Sequence, residues 1–324
     1  MSLLDDVKIL TTPNASKAGI LYSIKPDTGA ADFDITRATT ATRVNSSGVV
    51  ESVAIDAPQL DYSDDSCPCF LVEPQRTNLA FPSATAATQT VTTSAAAHTL
   101  SFYGTGSVTL SGTHSATLNG TGASNRVTLT FTPSAGSLTM TVAGTVTNIQ
   151  LEAGGSATSC IITTVASVTR NRTDWAKTGL STIINPLEGV LMAEIMFPST
   201  PTNQSIFGLS QSTSNMVQMG YWSGFFVNVT MNGSHIFFKT SFATIDNNWH
   251  KIAIKYKSGD CAVWMDGVEM DTSTTTGTPS ASPMDKFSGS YGGSSGLFKF
   301  YGKIKQLQVY DAILTDAQLL ALTT

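Results

Sequence analysis

Residues 249–270 constrain the fold of this chain more than any other stretch. Ile252, Ile254 and Tyr256 alternate with charged or small residues, which is the two-residue period of a strand with one buried and one solvated face. A turn and a second alternating run follow, and the dipeptide Asp266-Gly267 then supplies the positive backbone angles of a tight hairpin turn. The stretch therefore predicts a meander of three antiparallel strands without a helix.

The end of the chain carries the clearest helix signal. Thr315 is followed three residues later by Gln318, the spacing of a capping box, and Leu319, Leu320 and Leu322 give the next turns an apolar side. Charged residues make up only 13% of the chain, and Ser, Thr, Gly and Ala are abundant. Such a composition does not favour long helices with charged faces. We therefore expect an all-β protein with its clearest helix near residues 315–322.

Short alternating runs also recur about every ten residues between positions 83 and 170, with glycines between them. These runs cover residues 99–103, 107–111, 126–132, 137–143 and 146–151. Regular short strands separated by glycine turns predict a β-sandwich. The glycines do not indicate a phosphate-binding loop, because no Gly-Lys-Ser/Thr and no helix signal follow them.

Two parts of the chain resemble known families. The sequences at 249–270, at 300–310 and at 313–319 resemble the centre, the last strand and the following short helix of a concanavalin A-like, laminin-G-type sandwich. This resemblance spans about residues 175–324 and implies a fold that serves lectins, glycosidases and adhesion modules alike. It predicts the fold of this part and leaves its function open.

A second resemblance covers residues 32–174. Its pieces lie at 33–37, 41–45, 58–62, 67–79, 148–154, 157–163 and 169–170, and they include Glu73, Arg76, Asn78 and Glu152. In this order they are similar to a module of tailed-phage virion proteins, especially fibres and appendages, which precedes and includes a jelly-roll domain. Cys160 departs from the pattern, since an aromatic residue is usual there. The resemblance implies a phage structural protein.

The sequence thus predicts three parts. Residues 1–82 form an extended attachment or packing region, residues 83–174 a jelly-roll β-sandwich, and residues 175–324 a concanavalin A-like sandwich. Since the apolar runs of the first part lack local partners, we expect it to pack on another domain or another subunit. A homo-oligomer, with a trimer favoured, follows from that expectation.

Charge and targeting features limit the classes of partner and the location that we expect for this protein. The net charge is −5 and no basic cluster occurs, which argues against nucleic acid as a partner. No apolar run approaches the roughly 20 residues of a membrane span, and residues 1–6 lack the pattern of a signal peptide. We expect synthesis in the host cytoplasm and a place in the virion.

The four cysteines, Cys67, Cys69, Cys160 and Cys261, are too few for a disulfide scaffold of this size. The Cys67-Pro-Cys69 run is typical of a redox pair or half a metal site, but no second cysteine pair or nearby histidine accompanies it. We expect structural roles for these cysteines.

The sequence contains few candidate catalytic residues. Hydrolytic relatives of the concanavalin-like fold carry a Glu-x-Asp-x-x-Glu run on one strand, which this sequence lacks, and Glu188 and Glu194 stand alone. The four histidines are scattered and lie in no nucleophile motif. We expect a protein that is not an enzyme.

The sequence offers better candidates for a binding site than for a catalytic site. Tyr221, Trp222 and Phe225 belong to an aromatic run that contains Gly220 and Gly224. They are candidates for a platform that stacks on a sugar ring; the alternative is that they fill the core or an interface. For calcium, which the laminin-G resemblance implies at one rim, the candidate oxygen ligands are Asp246, Asp266 and Asp285. No other cofactor is expected.

These observations favour a virion appendage of head- or tail-fibre type that displays a lectin-like domain for host-surface or mucus glycans. The alternative is a purely structural decoration or connector protein whose sandwiches mediate protein contacts only. An enzyme acting on polysaccharide is the third hypothesis.

Overall fold

The computed structural model describes residues 3–197, 205–278, 280, 282–293 and 298–324. Regular structure in these ranges is almost entirely antiparallel β strand, with the helices α1 (Leu3–Asp6) and α2 (Asp316–Thr323) near the ends. The predicted all-β class is confirmed. None of the helices in these ranges is long and apolar enough to cross a membrane.

The strands of the first part alternate with tight turns. They are β1 (Val7–Lys17), β2 (Ile20–Lys25), β3 (Phe33–Thr36), β4 (Ala41–Val44), β5 (Val50–Val53), β6 (Gln59–Asp61), β7 (Cys69–Val72) and β8 (Arg76–Asn78).

The middle part is a two-sheet, jelly-roll-like sandwich. Its strands are β9 (Gln89–Thr93), β10 (His98–Gly104), β11 (Ser107–Gly112), β12 (Ala116–Asn119), β13 (Gly122–Phe131), β14 (Gly136–Ala143) and β15 (Val146–Ala153). The orders are β13-β10-β15 and β12-β11-β14-β9. Alternating apolar residues such as Leu100, Phe102, Leu138 and Met140 are buried between the sheets. The sandwich that the spacing of short strands predicts is confirmed, and β9 and β12 are the strands it missed.

The short strand β16 (Val168–Arg170) follows the middle sandwich and pairs with β8. The last part supplies the remaining strands, which are β17 (Asp174–Lys177), β18 (Glu188–Met196), β19 (Ser205–Ser212), β20 (Asn215–Tyr221), β21 (Phe225–Met231), β22 (Ser234–Thr240), β23 (His250–Lys257), β24 (Cys261–Met265), β25 (Val268–Ser273), β26 (Lys286–Ser288) and β27 (Gly302–Tyr310).

One continuous sheet runs through this large sandwich in the order β22-β21-β20-β19-β26-β17-β3-β2-β1-β27-β18-β23-β24-β25. Its two ends approach each other, since Lys239 Nζ on β22 lies 2.8 Å from Asp271 Oδ2 on β25. The sheet therefore folds over on itself and encloses one apolar core. The predicted meander is its β23-β24-β25 edge, where Asp266 and Gly267 have φ angles of 50° and 77° as a tight hairpin turn requires.

The structure differs from the predicted extended region at residues 1–82. Strand β1 lies between β2 and β27, with Val7 opposite Tyr310, and β7 pairs with β27. The rings of Phe33 and Phe70 lie 5.4 and 6.4 Å from that of Trp175 inside the core. The first part is thus integral to the C-terminal sandwich. Because its strands find partners within the chain, they no longer give a reason to expect a trimer.

Helix α2 closes the outer face of this sandwich. The capping box is present: Thr315 Oγ1 accepts a hydrogen bond from Gln318 N at 3.3 Å, and Gln318 Oε1 accepts one from Thr315 N at 2.9 Å. Leu319 and Leu322 are buried in a second apolar cluster with Trp264. The helix predicted from the capping spacing is confirmed.

Candidate functional site

The hairpin between β20 and β21 carries the predicted aromatic platform. Tyr221 pairs with Phe225 across it, and Trp222 N donates to Gly224 O at 2.8 Å to close the turn. Ser223 takes the left-handed conformation, with φ of 57°. The short turn therefore holds Trp222 in place at the end of two paired strands.

The three platform candidates do not share one surface. Phe225 is 1% exposed and lies in the apolar core, where its ring is 5.9 Å from Phe197 and 5.1 Å from His250. Tyr221 is half-buried and also packs against the core. A buried ring has no face to offer a ligand, so the core alternative holds for Phe225. Trp222 points to the opposite side of the sheet, toward Phe226.

Aromatic rings form an arc around Trp222 on that outer side. The ring of Trp222 lies 5.8 Å from Phe226 and 5.5 Å from Phe298. The arc continues through ring pairs 5.5–5.7 Å apart. We call the whole arc the aromatic rim: Tyr291, Phe298, Trp222, Phe226, Phe238 and His235. Phe238 is 50% exposed, so the rim opens to solvent on the β22 side.

Polar side chains lie beside the rim on the same face. Gln218 of β20 is directly opposite Asn228 of β21, which in turn is opposite Phe238 of β22. Ser210 and Thr230 lie in the adjacent row. We call Ser210, Gln218, Asn228 and Thr230 the polar floor; Gln218 and Asn228 are both fully buried.

The polar floor is only partly satisfied. Gln218 Nε2 donates to Ser290 O at 3.1 Å, and Asn228 Oδ1 accepts from Thr230 Oγ1 at 3.1 Å. Within the described residues, however, Ser210 Oγ, Gln218 Oε1 and Asn228 Nδ2 are buried without a hydrogen-bond partner. Leaving such a group unpaired costs about 1–3 kcal/mol, and native structures contain few of them. Three on one face, beside the exposed ring of Phe238, make this face a candidate site.

The calcium candidates are divided between two places. Asp246 Oδ1 lies 2.9 Å from His250 Nε2, and Asp266 Oδ2 lies 2.6 Å from His250 Nδ1, so the imidazole joins the two carboxylates. Asp285 has no part in this cluster; its carbonyl accepts from Leu180 N at 2.9 Å. Over the described ranges, no three His, Cys, Asp or Glu side chains are placed to hold a metal ion. Calcium binding stays a prediction.

Hydrogen bonds within this cluster shift the pKa of Asp246 and the pKa of His250 in opposite directions. Hydrogen bonds with His250, and then with Asn248, lower the pKa of Asp246 to about 2. Burial lowers the pKa of His250, but its hydrogen bonds to Asp266 and Asp246 outweigh that effect, so its pKa is raised. The cluster therefore favours the charged form of the imidazole, which lies between the two carboxylates.

The residues of the phage-like pattern meet in a buried polar junction instead. Glu73 accepts hydrogen bonds from Ser159 N and Oγ, both at 2.6 Å, from Gln59 Nε2 at 2.8 Å, and from Arg170 Nη1 at 2.8 Å. Arg170 is 1% exposed. These residues, here called the polar junction, connect the first part to the segment that leaves the middle sandwich.

Other pattern residues have the same kind of role. Asn78 Nδ2 donates to the carbonyl oxygens of Ile149 at 3.0 Å and Ile161 at 2.9 Å, and Glu152 Oε1 accepts from Thr158 N at 2.8 Å. Each replaces a missing backbone partner of an irregular segment. The pattern therefore encodes how the parts are joined.

A cavity of about 380 Å³ lies beside the polar junction, between β4, β7, β10, β13 and the start of β27. Its cationic side chains are Arg43, Arg76, Arg126 and Lys303. Most are already paired: Arg43 with Glu51 at 2.6 Å, Lys303 with Asp64 at 2.6 Å, and Arg76 with Glu152 at 3.8 Å. Arg126 Nη1 donates to Thr158 O at 2.6 Å. Arg76 Nε and Arg126 Nε in these walls are nevertheless buried without a hydrogen-bond partner among the described residues. We still treat the aromatic rim and polar floor as the leading site, because the exposed ring of Phe238 lies on the same face as the unpaired atoms there.

Groups weighed for catalysis have local partners. Glu188 pairs with Lys257 Nζ at 2.6 Å, and Glu194 accepts from Gln306 Nε2 at 2.9 Å. The two carboxylates lie near opposite ends of β18, and their partners belong to different neighbouring strands, β23 and β27. The ring of His114 stacks on Phe131 with ring centroids 4.5 Å apart.

Comparison with known proteins supports the fold of the last part. Residues 191–320 match the family model of the concanavalin A-like lectin/glucanases superfamily. The resemblance seen in the sequence is therefore confirmed for this domain. No curated protein matches the chain.

Solved structures with a similar β architecture include domain 4 of AbnA, a GH43 extracellular arabinanase from Geobacillus stearothermophilus in complex with arabinotriose. It is 15% identical with a TM-score of 0.39, over 53% of this chain and 84% of that one. A heptameric SAP-like pentraxin from Limulus polyphemus is 17% identical with a TM-score of 0.35, over 42% and 70%. A mutant of NanB sialidase from Streptococcus pneumoniae is 14% identical with a TM-score of 0.38, over 46% of this chain and 26% of the sialidase. At TM-scores this low, the similarities say nothing about what this chain binds.

Proposed function

We propose that this chain is a phage virion appendage protein, of head- or tail-fibre type, whose C-terminal sandwich binds glycans at the aromatic rim and polar floor. The observation that carries the binding proposal is that the partly exposed Trp222 lies on the same face of the sheet as buried polar atoms without partners. The virion role is supported by the sequence pattern of residues 32–174. The protein acts by attachment to host-surface or mucus glycans and does not turn them over.

The chemistry of the face suits a sugar. The apolar face of a pyranose stacks on an indole ring, while its hydroxyl and substituent groups seek directional hydrogen bonds. Trp222 supplies the ring, and Gln218 and Asn228 supply unused hydrogen-bonding capacity on the adjacent strands. The same face lies away from the apolar core, so a ligand need not disturb the packing of the sandwich.

The test is a glycan array followed by titration of the best ligand, using the full chain and Trp222→Ala. One aromatic contact is worth ~1–2 kcal/mol, so we expect about 5- to 30-fold weaker binding. The urea midpoint should change little, because Trp222 is partly exposed and lies outside the core. Phe81→Ala is the matched control, since Phe81 is 38% exposed on another part of the chain.

Two outcomes would count against the proposal. Unchanged binding by Trp222→Ala would remove the rim from the site. A chain that binds no glycan would favour the alternative, a structural decoration or connector, which the polar junction supports because it joins the parts through buried hydrogen bonds. A reducing-end assay on the bound polysaccharide tests the absence of turnover, and sedimentation of the full chain tests whether it forms a homo-oligomer.

A further inference from the structure

We infer that the sugar recognised by this face is an N-acetylated amino sugar, whose acetamido group bridges Gln218 and Asn228. This inference rests on the proposed glycan-binding function and names its ligand class. It follows from the juxtaposition of one unpartnered acceptor, Gln218 Oε1, and one unpartnered donor, Asn228 Nδ2, at directly opposed positions on adjacent strands.

The unpartnered atom of each side-chain amide follows from the hydrogen bonds that the other end of the same amide makes. Gln218 Nε2 donates to Ser290 O, so Gln218 Oε1 is the end without a partner. Asn228 Oδ1 accepts from Thr230 Oγ1 and lies 2.9 Å from His235 Nδ1, so Asn228 Nδ2 is the free end. Asn and Gln side chains are oriented by such networks. Gln218 and Asn228 together therefore offer one acceptor and one donor.

A secondary amide is the complement of that pair. Its N–H donates to Gln218 Oε1 and its C=O accepts from Asn228 Nδ2, and it carries no charge that would need a counter-ion in a buried place. Side chains opposed across antiparallel strands lie about 4.5–5.5 Å apart at Cβ, so both groups lie within reach of one ligand amide. The acetyl methyl group would meet the ring of Phe226, which lies two residues before Asn228 on β21.

We place the entry of the ligand at Phe238. Gln218 and Asn228 are fully buried, and the residue opposite Asn228 on the edge strand is Phe238, which is 50% exposed. Exposed side chains change rotamer in picoseconds to nanoseconds. The ligand displaces the Phe238 ring, and the acetamido group then makes the two hydrogen bonds that the protein leaves unmade.

The test compares sugars that differ only in this group. The full chain is titrated calorimetrically with methyl N-acetyl-β-D-glucosaminide and methyl β-D-glucoside, and with the corresponding galactosamine and galactose pair. We expect at least tenfold tighter binding of the N-acetylated member of one pair. Asn228→Asp exchanges the donor for an acceptor at constant shape, and Gln218→Met removes the acceptor; each should reduce that ratio to near one.

Gln306→Met on β27, far from this face in the sheet order, is the control and should keep the ratio. Equal binding of both members of each pair by the unmodified chain would overturn the N-acetyl inference while leaving the glycan-binding function in place. Binding of neither would overturn both. An N-acetyl preference that survives Asn228→Asp and Gln218→Met would show that other residues read the group.

Discussion

Replacing Glu73 by Gln should destabilise the whole chain through one buried ion pair. The Glu73 and Arg170 side chains are 5% and 1% exposed, with Arg170 Nη1 2.8 Å from Glu73 Oε2. Gln keeps the shape but leaves the guanidinium buried without its counter-charge, and it loses part of the acceptor capacity that Ser159 N and Oγ use at 2.6 Å. Removing one partner of a buried pair costs ~3–5 kcal/mol. We expect Glu73→Gln to lose that much, a large part of a typical domain stability.

The paired substitution separates the ion pair from the rest of the junction. In Glu73→Met with Arg170→Met both charges are gone, and replacing a whole buried pair by apolar side chains is often neutral. We therefore expect the double variant to lose much less than the sum of the two single Met variants. Urea unfolding followed by both far-UV circular dichroism and Trp fluorescence measures this. A single variant within about 1 kcal/mol of the wild type, or additive losses, would refute the reasoning.

Three further predictions concern other parts of the chain. Because the pKa of His250 is raised, its hydrogen bonds to Asp246 and Asp266 contribute fully to stability below about pH 6.5, the ordinary pKa of His, and this contribution is lost as the pH rises through the raised pKa. Urea midpoints measured from pH 5 to 9 should therefore fall with pH more in the wild type than in His250→Gln. Parallel profiles of the two proteins would contradict this. Cys67 is exposed, whereas Cys69, Cys160 and Cys261 are buried, and burial raises the pKa of Cys69 to about 12. The native protein should therefore react with one equivalent of a thiol reagent and the urea-unfolded protein with four. A second fast-reacting thiol in the native protein would show that one of the three buried cysteines is accessible. A fragment starting at residue 175 should not fold alone, because β1 and β7 pair with β27 and Phe33 and Phe70 lie in its core; a cooperative urea transition of that fragment would show the first part to be dispensable.

Local patterns predicted the elements that depend on neighbours in the sequence. The 249–270 meander and the capping box of Thr315 need only residues a few positions apart, so the two-residue period and the cap spacing were enough. The placement of residues 1–82 was not predictable in this way. An alternating strand reveals which face is buried but not its partner, and Val7 pairs with Tyr310 at the other end of the chain.

The same limit explains what was found and missed at the site. The sequence indicated Trp222 through its glycine-flanked aromatic run, but strand alternation puts Phe225 on the core side and Phe226 on the outer side. Gln218 and Asn228 were visible as polar residues alternating with apolar ones. That pattern predicts a solvated face, however, and the segment carrying Ser290 covers this one. Only the structure shows the polar side chains to be buried and unpaired.

The phage-like pattern and the candidate site occupy different parts of the molecule, so the pattern concerns the architecture and the site concerns binding. Glu73, Asn78, Glu152 and Arg170 all act in joining segments within residues 32–174, whereas the polar floor and aromatic rim lie on β19–β22 and the segment after β26. Substitutions on the floor can alter ligand choice without touching the junction, since the two share no described hydrogen bond. Chains that keep the junction but differ along β20–β22 should therefore share this architecture and bind different ligands.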